Sequence, residues 1–170
     1  MKRIVVYLAT SIDGAIARGD GRIDWLDDAG DFGFASFLEG IDSIVMGRVT
    51  YDEVLDFAQW PYGERETWVL SRKRDGSDRH ASFGADLGEI LERLRLAPGP
   101  GRVWIAGGGA VVAEALRLDL VDDLELFVHP LILGDGIPMV PFGVPDRPLE
   151  LVVAEPQSRG LVRLVYRRVR

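Results

Sequence analysis

The stretch Arg102 to Leu118, RVWIAGGGAVVAEALRL, decides the fold class, because a short apolar run meets three glycines and then a helical pattern. Val103, Trp104, Ile105 and Ala106 read as a buried strand that glycine ends abruptly. Gly107, Gly108 and Gly109 permit a sharp turn and a close approach of ligand to main chain. Beyond them Val111, Val112, Ala115 and Leu116 share one helical face, and Glu114 and Arg117 lie on another. The glycines therefore precede a helix N-terminus, whose free N–H groups and dipole favour a phosphate. The turn suits simple packing of helix on strand as well. Val112 stands where the Rossmann fingerprint has Gly or Ala, and no GK[ST] follows to make a P-loop.

Upstream, the same alternation repeats. Residues 3 to 9, RIVVYLA, are almost continuously apolar and predict a strand buried on both faces. Thr10 to Ala17 and the polar loop through Gly19, Asp20 and Gly21 follow it, as an exposed connection or a lid. Phe34, Phe37 and Leu38 predict a helix starting at Asp31, a favoured cap residue, and ending at Gly40. Ile41 to Met46 reads as a strand, and Gly47-Arg48-Val49-Thr50 opens a helix in which Thr50 and Glu53 match a capping box. Glu66 to Leu70 predicts another strand, ahead of Ser71-Arg72-Lys73-Arg74. His80 to Phe83 is a short extended candidate, and Leu87, Ile90, Leu91 and Leu94 mark a further helix. Downstream, residues 122–128, 149–154 and 161–169 read as strands without intervening helices, an antiparallel extension of a mostly parallel sheet.

At 170 residues with 47% hydrophobic content, the chain predicts a single domain spanning 1–170. The net charge of −7 opposes general binding to nucleic acid or anionic membranes. With no cysteine and two histidines, neither a thiolate nor a His-rich metal site is expected, and His129 between Val128 and Pro130 reads as structural. No apolar run reaches the roughly 20 residues of a membrane helix, which predicts a soluble, cytoplasmic protein.

Three turns carry the candidate chemistry. In an open α/β sheet the carboxyl ends of parallel strands lie along one edge, so Gly47–Thr50, Ser71–Arg74 and Gly107–Ala110 could meet on one ligand. The glycine turn offers backbone donors to a pyrophosphate, and Arg48 and Thr50 offer a cation and a hydroxyl. Arg72, Lys73 and Arg74 form either a clasp for a 2′-phosphate or a solvated basic turn.

Together these stretches resemble the dihydrofolate reductase superfamily, especially the small reductases similar to the C-terminal reductase domain of the bifunctional riboflavin-biosynthesis protein. The matching segments are TSIDGAIA at 10–17, the Trp25 region, MGRVTYDEV at 46–54, WPY at 60–62, VLSR at 69–72, IAGGGAVVAEAL at 105–116 and LVDDLELFVHPLILGDGIPM at 120–139. The resemblance implies a three-layer α/β fold with a central mixed, mostly parallel sheet of about eight strands and helices on both faces. It also implies NADPH as cofactor. Ala9 and Ile16 would border the nicotinamide, and Gly47, Arg48 and Thr50 the central phosphates. Ser71, Arg72 and Lys73 would face the 2′-phosphate, and Gly107, Gly108, Gly109, Ala110 and Val111 the pyrophosphate.

The implied reaction is hydride transfer to a small heterocycle, pteridine-like or pyrimidine-like, with Asp31 as the candidate acid. Asp13, Asp24, Asp27 and Asp28 are lesser candidates, and Asp13 suits ordering of its own loop. A non-catalytic NADPH-binding protein is the alternative, and similar reductases form homodimers. Two positions depart from the riboflavin-pathway pattern: Ala106 replaces a glutamate of the substrate site, and Val54 replaces an aspartate.

Overall fold

The computed structural model describes residues 1–26 and 33–169. An eight-stranded sheet runs in the order β5-β4-β3-β6-β1-β7-β10-β9. Its strands are β1 (Ile4–Ser11), β3 (Ile41–Gly47), β4 (Glu66–Leu70), β5 (Ser82–Gly84), β6 (Arg102–Gly107), β7 (Asp123–His129), β9 (Leu149–Pro156) and β10 (Val162–Arg168). A separate two-stranded ribbon joins β2 (Ala15–Ala17) to β8 (Ile137–Pro138). The helices are α1 (Phe34–Glu39), α2 (Arg48–Leu55), α3 (Leu87–Leu96) and α4 (Gly109–Arg117).

Both faces of the sheet are covered, as the apolar run of β1 requires. Ile4 and Val6 pack with Val45, Val103 and Ile105 beneath Leu91 and Leu94 of α3 and Val112 and Ala115 of α4. Val5 and Tyr7 point the other way, into a cluster with Phe37 of α1, Tyr51 and Val54 of α2, Ile44, Met46 and Trp104. The period-2 alternation of a strand thus fills two cores from one segment. Aromatic rings dominate the second core: Tyr7 stacks on Phe37 at 3.9 Å, and Trp104 meets Tyr62 edge-on at 5.5 Å.

Three expectations are corrected. The segment at 122–128 belongs to the parallel part of the sheet, since β7 pairs in parallel with β1 from Val5↔Asp123 to Ser11↔His129. Helix α4 carries the chain back after β6 and sets that direction, so β10 supplies the antiparallel pairings, with β7 on one side and β9 on the other. The Thr50–Glu53 capping box is not formed: α2 begins at Arg48 after Gly47, with no side-chain cap, and Thr50 is already inside the first turn. Helix α1 begins at Phe34, after Gly33 at φ 83°, later than the start expected at Asp31. Asp27, Asp28 and Asp31 themselves lie outside the described residues.

Candidate functional site

The order β4-β3-β6-β1 puts the three chemistry-bearing turns side by side. Gly47 lies opposite Leu70 in the β3–β4 pairing, and Met46 opposite Gly107 in the β3–β6 pairing. Parallel neighbours share one carboxyl edge, so the Gly47, Ser71 and Gly107 turns leave the sheet together. The contact between two of them is direct. A methyl group on Gly47 would lie 3.2 Å from Val111 Cγ2 and 3.7 Å from the Gly108 nitrogen, and one on Gly108 would lie 3.6 Å from Thr50 Oγ1. Gly107 has φ +129°, a conformation that side-chain-bearing residues rarely adopt.

Backbone donors face this junction. Gly108 C=O accepts the N–H of Val111 at 3.0 Å and of Val112 at 3.2 Å. The N–H groups of Gly109 and Ala110, earlier in the first turn, have no intrahelical acceptor and are the ones available to an anion. Val111 is buried with its side chain in the core, so its contribution is to packing and to that turn.

Beside the glycine turn opens a cleft of about 740 Å³, walled by Leu70, Ser71, Arg72, Asp86, Ala110 and Glu114 among others. Ser71 is buried, and its Oγ accepts the N–H groups of Lys73 at 3.2 Å and Arg74 at 3.0 Å, which curls the basic turn around it. The hydroxyl proton remains free to donate. Arg72 lines the cleft and makes no ion pair among the described residues, while Lys73 is exposed and does not line it. Glu114 on the opposite wall is paired with Arg117 at 3.2 Å.

Arg48 and Arg74 meet at Asp52, at 2.5 and 3.1 Å, a link between two of the turns that the sequence signalled only through the i,i+4 spacing of Arg48 and Asp52. Such half-exposed pairs contribute about 0.3–0.5 kcal/mol. Pairs this weak leave either guanidinium free to exchange Asp52 for a phosphate, which offers three acceptor oxygens. Free donors, a hydroxyl, an unpaired arginine and two exchangeable ones fit an anionic dinucleotide. Among the described residues no group of three or more His, Cys, Asp or Glu side chains could hold a metal ion.

The model of the RibD C-terminal domain matches residues 52–162. The chain belongs to this family. A relative from Bacillus subtilis (strain 168), YyaP, is 34% identical, with 97% of this chain and 94% of YyaP covered; that protein is itself uncharacterised. A solved structure from Shewanella sp. PV-4, of a protein named for riboflavin biosynthesis, superposes with TM-score 0.87 at 30% identity over 99% of each chain. A Thermotoga maritima diaminohydroxyphosphoribosylaminopyrimidine deaminase/5-amino-6-(5-phosphoribosylamino)uracil reductase shares the fold, with TM-score 0.74, 20% identity, and 99% of this chain and 57% of that one covered.

On this RibD C-terminal frame the remaining residues find their places. Ala9 is half-buried near the end of β1 and packs with Ala106 against the aromatic core. Ile16 rides on the β2–β8 ribbon, which roofs the start of α4: a methyl group on Gly109 would meet the Pro138 carbonyl at 2.6 Å and Ile16 Cδ1 at 3.7 Å. The ribbon's second strand, Ile137–Pro138, escaped sequence reading because two residues carry no periodicity. Val54 is buried in the same core as Tyr51 and Tyr62. Tyr51 donates to Asp78 at 2.7 Å, and burial pushes its phenol well above the ordinary value. His129 is buried, its ring 4.9 Å from Trp25 in an edge contact, and burial lowers its pKa, as a structural histidine requires. Among the described residues, no helix is long and apolar enough to cross a membrane.

Proposed function

We propose that this protein is an NADPH-dependent reductase that transfers a hydride to a pyrimidine-like or pteridine-like heterocycle. The observation that carries this reading is the convergence of Gly47–Thr50, Ser71–Arg72 and Gly107–Ala110 at the carboxyl edge of β4, β3 and β6, with Ser71, Arg72 and Ala110 lining a cleft there. Membership of the RibD C-terminal family and the fold shared with a uracil-type reductase support it.

NADPH would bring the hydride, and the protein's part is to hold and orient. Gly109 and Ala110 would bind the pyrophosphate through backbone N–H groups, with Arg48 and Thr50 at the central phosphates. Ser71 and Arg72 would take the 2′-phosphate, Ser71 as a hydroxyl donor and Arg72 as a fork of two parallel donors. Ala9 and Ile16 would border the nicotinamide, and Asp31 would supply the proton. Ala106 and Val54, apolar where the riboflavin-pathway pattern has acids, pack in or against the aromatic core and offer no carboxylate to a substrate.

Spectroscopic titration tests the reading. NADPH should bind more tightly than NADH, and its absorbance should fall when pterins or aminouracils are added. Binding without oxidation across such a panel would identify a dinucleotide-binding protein without turnover, and no binding would sink both readings.

A further inference from the structure

A latch of side-chain and backbone hydrogen bonds holds the β2–β8 ribbon. Ser11, buried at the end of β1, donates from Oγ to Asp13 Oδ1 at 2.6 Å and accepts the N–H of Ala15 at 2.9 Å. The Asp13 carboxylate reaches across to the loop that leads into β8, where it accepts the N–H of Leu133 at 3.1 Å and of Gly134 at 2.8 Å. Main-chain bonds flank it, from Ile12 N–H to Leu131 O at 2.8 Å and from Met139 N–H to Gly14 O at 2.9 Å.

Hydrogen bonds, more than apolar burial, anchor what this latch holds. Ile132 is 70% exposed, so apolar burial does little to fix the segment. The ribbon is tightly fitted both within itself and against α4: a methyl group on Gly136 would meet Ala15 Cβ at 2.6 Å, and one on Gly109 would meet the Pro138 carbonyl at 2.6 Å. A small displacement at residues 133–134 therefore reaches Ile16 and the first turn of α4.

We propose that Asp13 is a positioning residue whose carboxylate, by holding the N–H groups of Leu133 and Gly134, sets the separation between the β2–β8 ribbon and the N-terminus of α4. The ribbon packs directly on Gly109, so its position fixes how the first turn of α4 presents the N–H groups of Gly109 and Ala110, and Asp13 governs cofactor affinity without touching the cofactor. The inference rests on the dinucleotide reading of the site. The carboxyl is held low, at about 2, chiefly by the Ser11 hydroxyl and next by the Leu133 N–H. Since its folded value lies below the ordinary one, the latch is intact at neutral pH and opens only as pH falls toward about 2. It is a permanent fitting and not a pH switch.

The test compares Asp13→Asn and Asp13→Ala with wild type in the full chain, by hydrogen exchange without ligand, by NADPH titration and by thermal melting. Asn keeps the side-chain size and one acceptor, so the effects should grade from Asn to Ala. Exchange at the amides of Leu133 and Gly134 should accelerate at least tenfold in Asp13→Ala, and NADPH affinity should fall about tenfold, with a smaller fall in Asp13→Asn at nearly unchanged melting temperature. Unchanged exchange in Asp13→Ala overturns the latch. Faster exchange with unaltered NADPH affinity, or a lower melting temperature alone, overturns the positioning role and leaves a loop-stabilising aspartate. If wild type binds no NADPH, the dinucleotide reading fails first, and with it the positioning role of Asp13, whatever the exchange shows.

Discussion

Ser71 and Arg72 show how one turn puts neighbouring side chains in different environments. Ser71 is buried and curls the turn, whereas Arg72 is presented to the cleft without a carboxylate partner among the described residues. Arg72→Glu should weaken NADPH about 10- to 100-fold, the range of a lost hydrogen bond between charged groups, and weaken NADH little. Equal losses for the two dinucleotides in a binding titration would remove Arg72 from the 2′-phosphate. For Asp31 the expected outcome of Asn is a fall in kcat of at least tenfold at unchanged NADPH affinity. Unaltered turnover per folded molecule would leave the acid role without support. The basic character of residues 72–74 was legible in the sequence. The division of labour within it was not, because it depends on which side chain the curl of the turn buries.

At the scale of elements, glycine packing between ribbon and helix replaces a conventional cap on α4. Gly109 lies against the Pro138 and Met139 carbonyls, where an added methyl group would sit 2.6 and 3.2 Å away. Gly109→Ala should therefore push the ribbon outward, at a cost of about 1–3 kcal/mol in denaturant unfolding, the usual range for overpacking. It should weaken NADPH in parallel. A variant with wild-type stability and affinity would mean that the ribbon yields freely and does not position the first turn of α4. The helices and long strands were readable from periodicity, since α3 and α4 each show an apolar face at 3.6-residue spacing. The direction of β7 was not, because the three downstream strands looked alike in sequence while only β7 directly follows a helical crossover.

For the molecule as a whole, the end of the sheet opposite the cleft is tied by charges instead of turns. Asp122 accepts the N–H of Ile4 at 2.9 Å and pairs with Arg95 of α3 at 3.2 Å and with Arg168 of β10 at 3.5 Å. Removing one member of a buried pair strands the others, so Asp122→Ala should cost about 3–5 kcal/mol in urea unfolding. A loss under 1 kcal/mol would show that water replaces the carboxylate. Acid sensitivity should come in part from His129, whose folded pKa is depressed by burial. Its neutral form is the one folding accepts, so its contribution is intact above the unfolded value near 6.5 and is lost as pH falls through the lower folded value. His129→Gln should flatten the decline in melting temperature below about pH 6.5, the ordinary histidine value. An identical pH profile in the variant would exclude that source.

The sequence by itself determined the α/β class, the two-faced sheet and the three turns able to carry phosphate chemistry, because those depend on local periodicity and on the backbone freedom of glycine. Only the tertiary structure decided that the turns are neighbours, that Asp52 joins Arg48 to Arg74, and that Asp13 reaches Leu133 and Gly134. Strand order and contacts between residues more than a hundred positions apart are set by how the layers pack. No local pattern encodes that arrangement.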